Sequence, residues 1–237
     1  MGETTLIAAD AKLTREELAL VPTPTGTATH KPIPHMEVIQ ALTETLGFRH
    51  ISVVRDEYAV SRDGMKMFGV MELDQGMHGA RFALGVRNSH DKSFRLAVTV
   101  GYRVFVCENL AFSGDFAPVL AKHSKNFSLQ NALSIGVDDM QRNFKPMVER
   151  VERWRQETLS DVSARLVIYR AFIEGELEVP RQLARNVHDL YFNPQYEEFA
   201  PRTMWSLSNA FTSSFKELDP IPQYKATGKL AGFLHAG

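Results

Sequence analysis

The hydrophobic period of this chain changes once along its length, and that change is the strongest constraint on its fold. Between His50 and Cys107 apolar residues recur at every second position, the period of a half-buried strand. Phe82, Leu84 and Val86 share one face of a strand over Arg81 to Arg87, and Phe94, Leu96, Val98, Val100, Tyr102, Val104 and Val106 share one face over Phe94 to Cys107. After Ser128 the spacing becomes helical. Leu133, Val137, Met140, Phe144, Met147, Val151 and Trp154 alternate steps of four and three, an apolar seam three heptads long. Strands come first and helices second, which predicts an α+β fold. An antiparallel β-meander over about 50–107 is followed by a helical half packed on one face of the sheet.

The remaining segments fit this plan. Residues 1–35 read as an extended arm with one short helix. Thr14-Arg15-Glu16-Glu17 has the form of a capping box, and Pro22, Pro24, Gly26, Pro32 and Pro34 interrupt regular structure after it. A helix then runs from Pro34 to Gly47 with Ile39, Leu42 and Leu46 on one side. Arg55-Asp56-Glu57 is expected as a hairpin turn, Asp63-Gly64 as a second turn before a strand over Met65 to Leu73, and Gln75 to Gly79 as a loop. Pro146 is expected to break or kink the seam helix. Ser160 or Asp161 opens a helix that Gly175 stops, Pro180 opens one to Phe192, and Thr203 caps a last one ending at Leu218, before Pro220. The whole of 1–237 is expected as one domain, mainly β over 36–128 and mainly α over 129–237.

Composition excludes several classes. With 237 residues, 44% hydrophobic and 23% charged, the chain has a globular make-up and buries enough surface to need no metal or disulfide. Its one cysteine, Cys107, excludes an intramolecular disulfide and any multi-cysteine zinc or iron–sulfur site. The N-terminus has neither a basic segment nor an apolar core of the signal-peptide kind, and no apolar run reaches membrane-spanning length. A cytoplasmic protein with no membrane partner is expected. Phosphate-loop, dinucleotide-turn and H-E-x-x-H patterns are missing, and Ala111-Phe112-Ser113-Gly114 lacks the first glycine of a nucleophile elbow. Ser89 to Lys92 matches S-x-x-K, but between two strands rather than at a helix start. His90, Asp91, Cys107, Asp115 and His123 supply metal-ligand chemistry. However, Cys107 lies some 40 Å from the His90 turn if the intervening strand is straight, so no metal and no cofactor are expected.

Charge is unevenly distributed. Lysine and arginine number 27 against 28 carboxylates, a net charge of -1, yet residues 77–128 hold 7 basic and 3 acidic residues. Alternation places Arg81, Ala83, Gly85 and Arg87 of one strand on the face opposite the apolar one. It does the same for Arg95, Ala97, Thr99, Gly101, Arg103 and Phe105 of the next. Left uncovered, arginines flanking small residues form a shallow platform for an extended anion, and Phe105 is placed to stack on a base. The plainer reading is a solvated face, or one covered by helices with its arginines paired to carboxylates.

The block Asp63-Gly64-Met65-Lys66-Met67-Phe68-Gly69-Val70-Met71-Glu72-Leu73 resembles a stretch in a phage- and plasmid-like protein family, domain of unknown function 932. Gly85-Val86-Arg87-Asn88-Ser89-His90-Asp91-Lys92-Ser93 resembles its signature, as does Val104-Phe105-Val106-Cys107-Glu108-Asn109. Trp205 to Leu230 is similar to its C-terminal end. The resemblance spans about residue 14 onward. It implies a protein of prophages, plasmids and other mobile elements, and it brings no established activity.

Two functional classes follow. The first is a non-enzymatic protein of a mobile element that binds single-stranded DNA or RNA through Arg81, Arg87, Arg95, Arg103 and Phe105. The alternative is an enzyme acting on a phosphorylated small molecule in a pocket around Arg87, Asn88, His90, Asp91 and Asn109, or a protein-interaction module. An open groove favours the first and a concave site with converging groups the second.

Overall fold

The computed structural model describes residues 12–107, 109–114, 119–122, 124 and 126–235. Its centre is an antiparallel sheet. β1 (Lys12–Leu13), β2 (Val53–Val60), β3 (Lys66–Met77), β4 (Ala80–Ser89), β5 (Leu96–Val104) and β6 (Leu110–Phe112) follow one another in space as in sequence. β7 (Val119–Ala121) also pairs with β5, so β6 and β7 share its far edge end to end. The helices are α1 (Arg15–Ala19), α2 (His35–Gly47), α3 (Leu129–Gln156), α4 (Asp161–Phe172), α5 (Leu183–Phe192), α6 (Met204–Ser214) and α7 (Pro220–His235). The α+β class and the meander stand as the change of period requires.

Strand alternation divides the sheet into an inner and an outer face. Met67, Met71 and Leu73 of β3, Phe82, Leu84 and Val86 of β4, and Val98, Val100 and Tyr102 of β5 join one core with α2 to α6. The seam of α3 packs within the molecule. Leu133, Val137, Met140, Met147, Val151 and Trp154 are buried, and Phe144 stacks on Phe82 at 4.0 Å. Thr14 makes both hydrogen bonds of its capping box, and Ser128, Ser160 and Thr203 cap α3, α4 and α6.

Four local expectations are corrected. Arg55-Asp56-Glu57 is the middle of β2, not a turn, because β1 and α1 neutralise it: Lys12 pairs with Glu57 at 2.6 Å and Arg15 with Asp56. Gln75 and Gly76 continue β3, and the chain reverses at His78-Gly79, where Gly79 has φ +72°. α3 runs unbroken through Pro146. That proline is exposed, so water can satisfy the carbonyl its missing N–H leaves free. Helical structure also resumes beyond Leu218 as α7.

That last helix decides what the sheet can do. α7 crosses the β6 edge and adds Leu230, Ala231 and Leu234 to the main core, while Tyr224 forms a second cluster on the outer face with Phe68, Val70, Ala83, Leu110 and Phe112. Two glycines make room for it. A Cβ at Gly85 would lie 2.7 Å from the Tyr224 ring and 2.8 Å from Phe112, and one at Gly101 would lie 2.2 Å from the Ala111 carbonyl. Gly114 N–H donates to the Gly228 carbonyl at 2.8 Å, which pins α7 against the chain leaving β6.

Glu72 lies beyond this cluster on the same face and is 1% exposed. Arg81 and Arg103 are direct cross-strand partners, and both donate to it, Arg81 Nη1 at 3.2 Å and Arg103 Nη2 at 2.8 Å. Removing a buried carboxylate from two cations leaves them uncompensated, so Glu72→Ala is expected to lower the unfolding free energy by about 3–5 kcal/mol. Adding Arg103→Met is expected to recover part of that loss. Chemical denaturation of the three proteins measures both effects, and a loss below about 1 kcal/mol for Glu72→Ala would contradict this account.

Candidate anion-binding cleft

The outer face is not one continuous platform. Tyr224 and Phe112 occupy the small-residue trough over Gly85 and Gly101, and the Tyr224 hydroxyl hydrogen-bonds Thr99. The expected basic surface is therefore split into two ends. Arg87 pairs across the strands with Ala97, and Arg103 lies six residues further along β5, about 20 Å away.

At the far end Arg81 and Arg103 share Glu72, and their guanidiniums stand 5.5 and 5.9 Å from the centroid of the half-exposed Phe105 ring. Those two cations share one buried carboxylate, which holds both guanidiniums and offsets half of their charge. The carboxylate comes from β3 of the same sheet rather than from a helix. The ring expected to stack on a base already has two cations against it.

The near end is different. Arg87, Ser89, Lys92, Ser93, Phe94 and Arg95 of β4 and its hairpin face Leu120, Lys122 and Ser124 around a cleft of about 720 Å³, with Thr29 and His30 of the N-terminal arm as a further wall. Four of these residues are cations and none of the described lining residues is a carboxylate. Arg87 is held between Phe94 and Tyr224, 5.5 and 5.4 Å from their ring centroids, and its buried Nε has no hydrogen-bond partner among the described residues. Arg95, Lys92 and Lys122 are exposed. Asp91 is turned aside, accepting from Ser93 N–H at 2.9 Å with Lys66 3.7 Å away. That turn carries Lys92 in the left-handed region, φ +64°, a conformation costly for a side chain of its kind.

The signature residues divide by strand parity. Arg87 and Ser89 line the cleft, while Asn88 and His90 point to the other side and bind the arm. Asn88 Nδ2 donates to the Ile33 carbonyl at 2.9 Å and to His35 Nδ1 at 2.9 Å. His90 Nε2 donates to the same carbonyl at 3.0 Å, and its ring stacks on His35 at 3.9 Å. His30 Nε2 donates to the His90 carbonyl at 2.9 Å. Asn109 Nδ2 is bound to the Asn209 carbonyl of α6 at 3.0 Å. Cys107 Sγ lies 3.8 Å from Asn209 Oδ1, and burial pushes its thiol up to about 11. The pocket expected around Arg87, Asn88, His90, Asp91 and Asn109 therefore does not form. Alternation separates Asn88 and His90 from Arg87, and Asn109 sits at the far end of β5. Of the candidate metal ligands, Asp115 and His123 lie outside the described residues. Among those described, no three histidine, cysteine, aspartate or glutamate side chains gather to hold an ion.

Residues 26–228 match the family described as Domain of unknown function (DUF932). The chain belongs to this family. Comparison with curated proteins and with solved structures returns no match.

The matched span of this DUF932 member includes every described lining residue of the cleft. Sequence reasoning placed Arg87 and Arg95 on the binding face and named Ser89 and Lys92 only within the family signature; it missed Thr29, His30, Leu120, Lys122, Ser124 and the Tyr224 backstop. β7 is three residues long, too short for a periodic signal. Pro220 suits the first turn of a helix, and the backbone carbonyl of Asp219 accepts the first helical bond, from Gln223 N–H at 2.9 Å.

Burial holds the His90 imidazolium below its ordinary value of 6.5. Its neutral form belongs to the fold, so the stabilisation is complete above about pH 6.5 and is lost as the pH falls through the lower folded value. The unfolding midpoint is expected to stay level between about pH 7 and 8 and to drop below about 6.5, and His90→Gln is expected to flatten that drop. Thermal unfolding across this range measures both. A midpoint in the native chain that is independent of pH down to about 5 would contradict the assignment.

Proposed function

We propose that this protein binds phosphate-bearing ligands of the nucleic-acid class, single-stranded DNA or RNA, at the cleft and does so without catalysing a reaction. One observation carries the reading: four cations, Arg87, Lys92, Arg95 and Lys122, surround a single cleft whose described lining has no carboxylate to neutralise them. Hydroxyls of Thr29, Ser93 and Ser124 add donors, while Phe94 and Leu120 give a base an apolar wall. Phosphate is the abundant anion that such a set of forked and point cations suits.

The expected seat of binding moves accordingly. Arg87 and Arg95 remain in it, Lys92 and Lys122 join it, and Arg81, Arg103 and Phe105 leave it. Turnover is disfavoured because the described lining carries no carboxylate or thiol, and its imidazole, His30, is engaged with the His90 carbonyl. The resemblance to phage and plasmid proteins supports placing this binding on mobile elements. We place the protein in the cytoplasm on the same reading; among the described residues no helix is long and apolar enough to cross a membrane.

Binding of a fluorescent oligonucleotide at several salt concentrations tests the proposal. Each phosphate contact is expected to contribute roughly -0.7 to the log–log slope for single strands. Arg95→Ala with Lys122→Ala is expected to flatten that slope, with the fold intact because both side chains are exposed. Lys145→Ala, on the exposed side of α3, is expected to leave it unchanged. Absence of binding at about 50 mM salt, or binding indifferent to salt, overturns the reading.

A further inference from the structure

We infer that the cleft receives a terminal phosphate, the phosphomonoester at a strand end or on a free nucleotide, and does not thread the interior of a strand. This rests on the phosphate-binding reading above and specifies its ligand. The reason lies in how the walls are joined. β7 is paired to β5, β5 to β4, and β4 continues into the hairpin at 90–95. Beyond β7, Ser124 forms an antiparallel bridge with His30, and His30 Nε2 donates to the carbonyl of His90 in that same hairpin. The segments lining the cleft are thus linked to one another in a closed circuit: β7, Ser124, His30, His90, the hairpin, and back through β5.

These links hold the described walls of the cleft together around one site. Behind Arg87 the way along the outer face is blocked by Tyr224 and Phe112, seated on Gly85. Beyond that block Arg81 and Arg103 are already engaged by the buried Glu72, and Arg55 of the same face is paired with Glu57. A volume of about 720 Å³ is that of a site for one small ligand, within the roughly 300–1,000 Å³ usual for such pockets.

The charge fits the same conclusion. A phosphodiester in a strand carries one negative charge, whereas a monoester well above its second pKa, near 6, carries about two and offers three acceptor oxygens. Four cations and the hydroxyls of Thr29, Ser93 and Ser124 around one cleft suit the monoester, since each charge-assisted hydrogen bond is stronger than a neutral one. Arg87 anchors the inner wall, where its stacking between Phe94 and Tyr224 fixes the plane of the guanidinium.

The test compares single strands of one sequence, about 12 nucleotides long, by fluorescence anisotropy in low salt at about pH 7.5, where the monoester is dianionic. The probes carry a 5′-phosphate, a 3′-phosphate or hydroxyls at both ends, and a fourth is circular. A phosphorylated end is expected to bind about tenfold or more tightly than the hydroxyl-ended and circular strands. Lys122→Glu, at an exposed position, is expected to reduce that preference toward parity. Competition by thymidine 5′-monophosphate separates the two sources. Displacement by the mononucleotide, with no gain from added chain, identifies a free nucleotide, and tighter binding of the phosphorylated oligonucleotide identifies a strand end. Circular or hydroxyl-ended strands binding as tightly as phosphorylated ones would overturn the inference while leaving phosphate binding in place. Failure of all probes would overturn both.

Discussion

The seating of Tyr224 against the outer face of the sheet is the contact on which the rest of this structure turns. A half-buried antiparallel sheet leaves one face to water, and here the strands β4 and β5 carry Ala83, Gly85 and Gly101 where larger residues would stand. A trough of small residues is unstable when empty, because its walls lose contacts that water does not replace. Tyr224 and Phe112 fill it, and the Tyr224 hydroxyl is satisfied by Thr99. Once α7 is fixed there, with Gly114 and Gly228 in backbone contact, the meander and the helical half share one interior.

That seating sorts the arginines. The two on the Glu72 side have a buried carboxylate within reach, and the opposition of Arg81 and Arg103 across the strands makes Glu72 necessary rather than incidental. Arg87 and Arg95 have no such partner among the described residues. Arg87 is instead held by two aromatic rings, which orient a guanidinium without cancelling its charge. Cation–π contacts thus leave the near end without a carboxylate while the far end has Glu72 between its two guanidiniums, although the two ends look alike along the sequence.

The arm has a related division of labour. Asn88 and His90 hold Ile33 and His35, and His30 returns to the His90 carbonyl, so a proline-broken segment with little structure of its own becomes a wall. Histidine suits that task because its two ring nitrogens can each meet a partner. In His35 the Nε2 donates to the Gly64 carbonyl while Nδ1 accepts from Asn88. The most conspicuous polar block of the chain therefore serves two purposes by strand parity: Arg87 and Ser89 face the cleft, Asn88 and His90 face the arm.

The sequence by itself determined the α+β class, the order of the strands, the inner face and the capped starts of α1, α3, α4 and α6. These depend on periodicity and on hydrogen bonds between near neighbours, which are written in consecutive residues. It also placed Arg87 and Arg95 on the outer face, since alternation follows from the pleat. Only the tertiary structure decided that Arg55-Asp56-Glu57 would be strand, because the charges that neutralise it come from Lys12 and Arg15, some forty residues away. It alone decided that the small-residue face would be covered, that Glu72 would engage two arginines, and that Lys122 and His30 would join the other two. Each of these is a meeting of residues far apart in the chain, and local pattern cannot register which side chain will fill a trough that glycine leaves open.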